Sequence, residues 1–182
     1  MMKQQRWTSL LGLGLLVVST AGCVSSKPIE TRGVPPGLKT PDSQMLSIAA
    51  HGAGVQIYVC QTGRSESAFS WNLRGPEAQL RYEVGKELGR HYAGPTWEAN
   101  DGSKVVGEVV AHEAGPDAGA VPWLLLRATS TSGNGIFSAV KSIQRLHTAG
   151  GKAPTTGCDK TYEGTEVRVA YSADYYFYTD KP

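Results

Sequence analysis

The most constraining feature of the sequence is a strict alternation near its C-terminus, over residues 167–178. Every second residue from Val167 to Phe177 is apolar or aromatic, whereas the residues between them include Arg168 and Asp174. Because successive side chains on a strand point to opposite faces, this pattern predicts a strand with one buried face. Such a strand needs hydrogen-bonding partners, so the rest of the chain has to supply a sheet.

Other segments predict those partner strands. Alternation or short apolar runs occur at residues 55–59, 69–73, 105–111 and 123–126. Turn residues separate them, including the hairpin-type pair Asp101-Gly102. The one helical candidate is a single turn at residues 76–80. Short strands with frequent turns predict an all-β fold, an antiparallel β-barrel of about eight to ten strands, with a β-sandwich as the alternative.

The first 22 residues have the pattern of a signal peptide. Lys3 and Arg6 precede a short apolar run over residues 10–18, and small residues follow at 19–22. The apolar run is shorter than the roughly 20 residues that a membrane-spanning helix needs. We therefore expect this segment to be removed during export.

Cys23 follows the small residues and resembles the acylated cysteine of a bacterial lipoprotein. Thr20 departs from the usual lipobox, which prefers an aliphatic residue there, and cleavage after Ala21 without lipidation is the alternative. Val24 is not the Asp associated with retention in the inner membrane. We expect an envelope protein attached through its lipid to the outer membrane, facing the periplasm or the surface.

Composition divides the remainder into a linker and one domain. Residues 23–42 are rich in Pro, Gly, Ser and Lys, which predicts a flexible tether. Residues 43–182 have the length of a single β domain. The 18 Lys and Arg nearly balance the 16 Asp and Glu, so no basic stripe indicates binding to nucleic acid.

The sequence has three cysteines, an odd number for an exported chain. If Cys23 carries lipid, Cys60 and Cys158 remain, and an oxidising compartment allows them to form a disulfide. Two separate buried thiols are the alternative.

Several segments together resemble the domain-of-unknown-function 3455 family. They are residues 54–60, 91–103, 123–126, 143–151, 154–158 and 171–178. The resemblance covers roughly residues 34–178. It implies an exported domain, and it supplies no established activity or catalytic residues.

The segment 91–103 combines polar and aromatic residues. His91, Trp97, Glu98 and Asp101 have the chemistry of a cleft in which carboxylates lie beside an aromatic wall, as sugar binding or acid–base catalysis requires. A solvated hairpin turn with Trp97 in the core fits the same residues.

Arg145 completes this candidate ligand-binding set. On a strand it shares a face with Ile143 and His147, and we expect a buried salt bridge to Asp174 or Glu98. Anion recognition by Arg145 is the alternative.

Motifs for catalysis or cofactors are weak. No Gly-x-Ser-x-Gly elbow is present, no βαβ unit accompanies a dinucleotide motif, and the four histidines form no close pair, so we expect no metal and no cofactor. Three functions remain open: an envelope lipoprotein that binds a small polar or glycan-like ligand, a hydrolase that uses Glu98 or Asp101 with His91, and a structural or stress-related surface protein. Enzymatic activity is the less favoured expectation, and no catalytic residue is assigned.

Overall fold

The computed structural model describes residues 33–62 and 68–182, which form eight β-strands and two 3-10 turns. The strands are β1 (Gln44–Thr62), β2 (Phe69–Arg81), β3 (Glu87–Tyr92), β4 (Thr96–Ala99), β5 (Lys104–Glu113), β6 (Trp123–Ser132), β7 (Ser142–Gly150) and β8 (Glu166–Asp180). The 3-10 turns are Pro36–Leu38 and Lys160–Tyr162. The predicted signal peptide and Cys23 lie outside the described residues. In the described part of the chain, no helix has the length and apolar character needed to cross a membrane.

The strands form a closed antiparallel barrel. Each strand pairs with the next one along the chain, and β1 also pairs with β8. Gln44 lies opposite Asp180, and the Lys181 N–H donates to the Ser43 carbonyl at 2.8 Å. The predicted β-barrel is therefore confirmed, with eight strands.

The alternation in β8 separates the inside of the barrel from the outside, as the sequence predicts. Tyr171, Tyr175 and Phe177 belong to the main buried core. Asp174 lies on the other face, where it accepts hydrogen bonds from two histidines. The regular period of two therefore becomes the inner and outer surfaces of the closed sheet.

Strand β1 places polar side chains inside. Gln56 and Tyr58 are buried, whereas the aliphatic Val55 and Ile57 are partly exposed. The Tyr58 hydroxyl donates to the Gly151 carbonyl at 2.6 Å. The barrel interior thus contains a polar layer beside its apolar core.

A second apolar cluster lies on the outer surface and includes the 3-10 turn at Pro36–Leu38. Leu38 is fully buried there with Trp123 and Leu146. Its carbonyl accepts from the Gln144 amide at 2.6 Å. Leu38 lies within the predicted flexible tether of residues 23–42, and it packs against the barrel because it covers apolar surface there.

The predicted helical turn at residues 76–80 is wrong. These residues belong to β2, where Pro76 lies opposite Gln56 and Leu80 opposite Gly52. A five-residue segment holds too little periodic signal to distinguish a helix from a strand, so pairing with β1 decides its conformation.

The predicted disulfide between Cys60 and Cys158 is present, with an S–S distance of 2.03 Å and a sequence separation of 98 residues. Cys60 lies near the end of β1 and is fully buried. Its backbone N–H donates to the Thr165 carbonyl at 3.0 Å, just before β8. The bridge therefore ties the segment before β8 to the end of the long first strand.

Candidate functional site

Three of the five predicted ligand-binding residues line one cavity inside the barrel. His91 from β3, Trp97 from β4 and Arg145 from β7 surround a space of about 300 Å³ together with Tyr175 from β8. His91 and Arg145 are more than fifty positions apart, and they meet because β3, β4, β7 and β8 all turn these side chains inward.

His91 and Trp97 form the aromatic wall of this cavity. They lie opposite each other on β3 and β4, and their rings stack with centroids 4.4 Å apart and planes 9° apart. Tyr175 meets both rings edge-on, at 5.1 Å from His91 and 5.6 Å from Trp97. Gly107 on β5 makes room for the indole, because a Cβ there would approach Trp97 at 3.3 Å.

His91 is neutral in the folded protein. Burial lowers the pKa of His91 to about 3, since the imidazolium would lose its hydration in the barrel interior. Its Nδ1 lies 2.8 Å from the Thr96 carbonyl, which can only accept, so Nδ1 carries the proton. Nε2 is therefore a hydrogen-bond acceptor on the wall of the cavity.

Trp97 brings a donor that is not used within the described residues. Its side chain is 1% exposed, and its Nε1–H has no hydrogen-bond partner there. Buried indole N–H groups usually have a partner, because leaving a donor unpaired costs free energy. Trp97 is thus a core residue whose ring lines the cavity and whose N–H is buried.

Arg145 brings a positive charge. Its Nε and Nη2 donate to the Pro122 carbonyl at 3.2 and 2.8 Å. Among the described residues no carboxylate forms an ion pair with this guanidinium, so the predicted salt bridge to Asp174 or Glu98 is wrong. A backbone carbonyl orients the guanidinium without neutralising it.

The other two members of the predicted face separate at a bulge in β7. His147 has a φ of 49°, and the register of β7 against β8 shifts between Leu146 and Ala149. Ile143 stays in the core, but His147 turns outward and its Nδ1 donates to Asp174 at 3.0 Å. Strict alternation therefore predicts correctly that Ile143 and Arg145 share the inner face. It fails after Leu146, because the bulge turns His147 to the outer face.

Tyrosines surround the guanidinium. Tyr175 is in hydrogen-bonding contact with Arg145, and its hydroxyl lies 3.2 Å from that of Tyr171. Burial raises the pKa of Tyr58, Tyr171 and Tyr175, so all three phenols remain protonated near neutral pH. Tyr58 and Gln56, which interrupt the aliphatic alternation of β1, are buried in the polar layer and do not line the cavity.

Glu98 lies outside the barrel, away from the interior cavity. It accepts from Tyr92 at 2.8 Å and pairs with Arg90 at 2.9 Å and Lys104 at 3.5 Å. The hydrogen bond from Tyr92 and the contact with Arg90 lower the pKa of its carboxyl group. Trp97 and Glu98 are adjacent on a strand, so when one points inward the other points outward.

Asp101 also lies away from the cavity, in the hairpin turn between β4 and β5. Its carboxylate accepts from the Ser103 N–H at 2.8 Å, the Ser103 hydroxyl at 2.6 Å and the Ile136 N–H at 2.9 Å. These bonds, that of the Ser103 hydroxyl first, lower the pKa of Asp101. Asp101 thus connects two loops, and the residues that line the interior cavity include no carboxylate.

The cavity opens through the side of the barrel. Strand β3 pairs with β2 only over Glu77–Arg81, and β4 pairs with β5 only over Lys104–Val106. Among the described residues, no strand lies between the parts of β2 and β5 that extend beyond the β3–β4 hairpin. Leu73 and Val109 flank this side opening and line the cavity, and they are 57% and 50% exposed. Small ligands therefore have a route to His91, Trp97 and Arg145.

A larger, shallower groove of about 580 Å³ lies mainly on the outer face near β3. Its charged groups neutralise one another, as Arg90 and Lys104 both pair with Glu98. The interior cavity differs because, in the described part of the chain, no carboxylate forms an ion pair with its Arg145.

Two of the three histidines outside the cavity pair with a carboxylate. His51 and His147 donate through Nδ1 to the two oxygens of Asp174, at 2.8 and 3.0 Å. Within residues 33–62 and 68–182, no group of three or more His, Cys, Asp and Glu side chains is arranged to hold a metal ion.

The fold and the cavity define a class: a small, disulfide-bonded, closed antiparallel β-barrel with a polar-aromatic pocket open to one side. The sequence model of one family, described as protein of unknown function (DUF3455), matches residues 41–179. The chain belongs to this family. No curated protein and no solved structure matches it significantly.

Proposed function

We propose that this chain is an exported envelope lipoprotein whose barrel binds a small polar ligand in the interior cavity. The observation that carries the proposal is the meeting of His91, Trp97 and Arg145 in one cavity that opens to the side. Small eight-stranded barrels have room for one ligand. A volume of about 300 Å³ lies at the lower end of the roughly 300–1,000 Å³ of ligand pockets, so a small molecule fits best.

The polar groups of the cavity support binding over catalysis. His91 supplies an acceptor, Trp97 an aromatic face and Arg145 a charge. The carboxylates that a hydrolase of the expected kind would use, Glu98 and Asp101, are engaged elsewhere. Acid–base catalysis by these carboxylates would therefore need a rearrangement of their hydrogen bonds, whereas binding by His91 and Arg145 does not involve them.

The test is a thermal-shift screen of the full chain in mild detergent against sugars, small organic acids, lipids and divalent metals. A ligand at about a hundred times its dissociation constant adds about 2.7 kcal/mol to stability, which such a screen detects. We expect at least one small polar class to raise the melting temperature. If none of these classes does, a structural or surface role replaces binding.

Two tryptophan variants locate the bound ligand. Val109→Trp places an indole in the side opening and should remove the shift. Val110→Trp is the matched control, because Val110 is adjacent and similarly exposed, at 53%, but does not line the cavity. Equal loss in both variants, or in neither, would argue against binding through this opening.

Export and anchoring need their own measurement, because they depend on Cys23. Mass spectrometry of the chain produced in a bacterium should show an N-terminal acylated Cys23, and Cys23→Ser should release the protein from membranes. An unmodified N-terminus that follows Ala21 would instead support secretion without an anchor.

A further inference from the structure

The cavity contains a positive charge that has no counter-charge within residues 33–62 and 68–182. Two arginines line it, Arg74 and Arg145. Arg74 is exposed and forms an ion pair with Glu166, so its charge is neutralised. Among the residues that the structure describes, Arg145 bonds only to neutral groups, the Pro122 carbonyl and the Tyr175 hydroxyl. A bound molecule with a single negative charge would complete the electrostatic balance of the site.

A neutral group beside that charge is the hydroxyl of Tyr175. The tyrosine hydroxyl beside Arg145 remains protonated because burial raises the pKa of Tyr175. Donors close to a guanidinium suit a group with several acceptor lone pairs, as a carboxylate has.

Aliphatic side chains form the remainder of the cavity wall. Leu124 and Leu126 line its inner part, and Leu73 and Val109 line its side opening. These residues offer contact to hydrocarbon and no polar partner for a hydroxyl-rich molecule. The wall therefore favours a ligand with an apolar or aromatic body behind its charged group.

We propose that the cavity binds a small organic monocarboxylate, with its carboxylate on the Arg145 guanidinium and its apolar body between the Trp97–His91 stack and the leucines. The proposal rests on the proposed function and narrows its ligand class. It favours an acid over a sugar, because the cavity lining combines the Arg145 charge with several aliphatic side chains and includes no carboxylate.

The experiment compares two molecules of the same shape and different charge. Isothermal titration calorimetry on the full chain in detergent uses benzoate and benzamide, then octanoate and octanamide, and finally inorganic phosphate and glucose. We expect at least one carboxylate to bind at least tenfold more tightly than its amide. We also expect phosphate and glucose to bind more weakly than that carboxylate.

Two arginine variants test the position of the charge. Arg145→Gln should weaken carboxylate binding at least tenfold and leave amide binding unchanged. Arg127→Gln is the matched control, since Arg127 is an exposed arginine that pairs with Glu108 on the outer face. It should bind the carboxylate as the unaltered chain does. If Arg145→Gln does not fold, Arg145→Lys keeps the charge, removes the planar fork and should still prefer the acid to the amide.

The possible failures are distinguishable. Equal affinity for acid and amide, or unchanged carboxylate binding in a folded Arg145→Gln variant, would overturn the monocarboxylate inference and leave ligand binding intact. Binding of glucose without binding of any carboxylate would do the same. Absence of binding for every probe, joined to a flat screen across all ligand classes, would remove the proposed function as well.

Discussion

At the scale of single residues, His91 is unusual because a titratable group lies in the middle of an aromatic cluster. It is 3% exposed, stacks on Trp97 and has its Nδ1 proton committed to the Thr96 carbonyl. The unfolded chain accepts a proton on this imidazole near its ordinary pKa of 6.5, whereas burial holds the folded pKa near 3. Protonation therefore favours the unfolded state below pH 6.5.

We expect the folded protein to lose stability in mild acid because of His91. His91 contributes its full stability above pH 6.5, and the contribution falls as the pH decreases toward 3. Between pH 6.5 and 5 the expected loss from this residue is about 2 kcal/mol, at up to about 1.4 kcal/mol per pH unit. Urea unfolding at a series of pH values measures it.

The control for this measurement is His91→Phe, which keeps a ring stacked on Trp97 and removes the titration. Its stability should depend less on pH over this interval than that of the unaltered chain. An identical slope in both proteins would mean that His91 titrates normally in the folded state.

Three of the five predicted ligand-binding residues meet in the cavity and two do not, for a physical reason. His91, Trp97 and Arg145 have side chains that the closed barrel turns toward the same space. Glu98 and Asp101 were grouped with them because they are near in sequence, but strand alternation sends Glu98 outward and the hairpin uses Asp101. Pairing between distant strands is what defines the cavity, and a single sequence does not reveal the register of that pairing.

At the scale of elements, the short β3–β4 hairpin determines both the wall and the opening of the cavity. It places His91 and Trp97 in the interior. Because the hairpin is short, no described strand lies between the parts of β2 and β5 that extend beyond it. The turn that follows β4 is fixed by Asp101, whose carboxylate also accepts from the Ile136 N–H in the loop between β6 and β7. The position of Trp97 therefore depends on a carboxylate outside the cavity.

Asp101→Ala tests this dependence. It removes three hydrogen bonds at once and leaves the buried Ser103 and the Ile136 N–H short of an acceptor. We expect the melting temperature to fall by several degrees in calorimetry, with weaker ligand binding as a secondary effect.

Asp117→Ala is the matched control for Asp101→Ala. Asp117 also accepts from a backbone N–H two residues ahead, that of Gly119 at 2.8 Å, but its bond is local and exposed. Its loss should change the melting temperature much less. Equal effects of the two substitutions would show that Asp101 is only a local turn residue.

At the scale of the whole molecule, the prediction of fold class succeeded better than the prediction of single elements. Regular alternation in β8 and frequent turn residues already indicated an antiparallel barrel. The aliphatic Val55 and Ile57 of β1 are partly exposed, because the interior there holds Gln56 and Tyr58. Which face of a strand lies inside depends on how the barrel closes. Closure requires β1 to pair with β8, two strands that are far apart in the sequence.

The Cys60–Cys158 bridge is a second long-range closure, and its contribution is measurable. On the chain-entropy model, a loop of 98 residues stabilises the folded state by about 4 to 5 kcal/mol, mainly by restricting the unfolded chain. We expect full reduction to lower the urea midpoint accordingly. The double variant Cys60→Ala/Cys158→Ala should be less stable than the oxidised chain and should not respond to dithiothreitol. An unchanged midpoint after reduction of the unaltered chain would contradict the prediction.

The pairing of β1 with β8 has a further consequence for chain connectivity. Gln44 and Asp180 are neighbours across this pair, so the two ends of the domain leave the barrel together. The turn between β2 and β3 is well separated in sequence from both of these ends, and its Val84 is 88% exposed. A circular permutant that joins residue 182 to residue 33 through a short linker, and is opened at this turn, retains every strand pair of the barrel. The order in which the strands are synthesised is therefore separable from the order in which they pair.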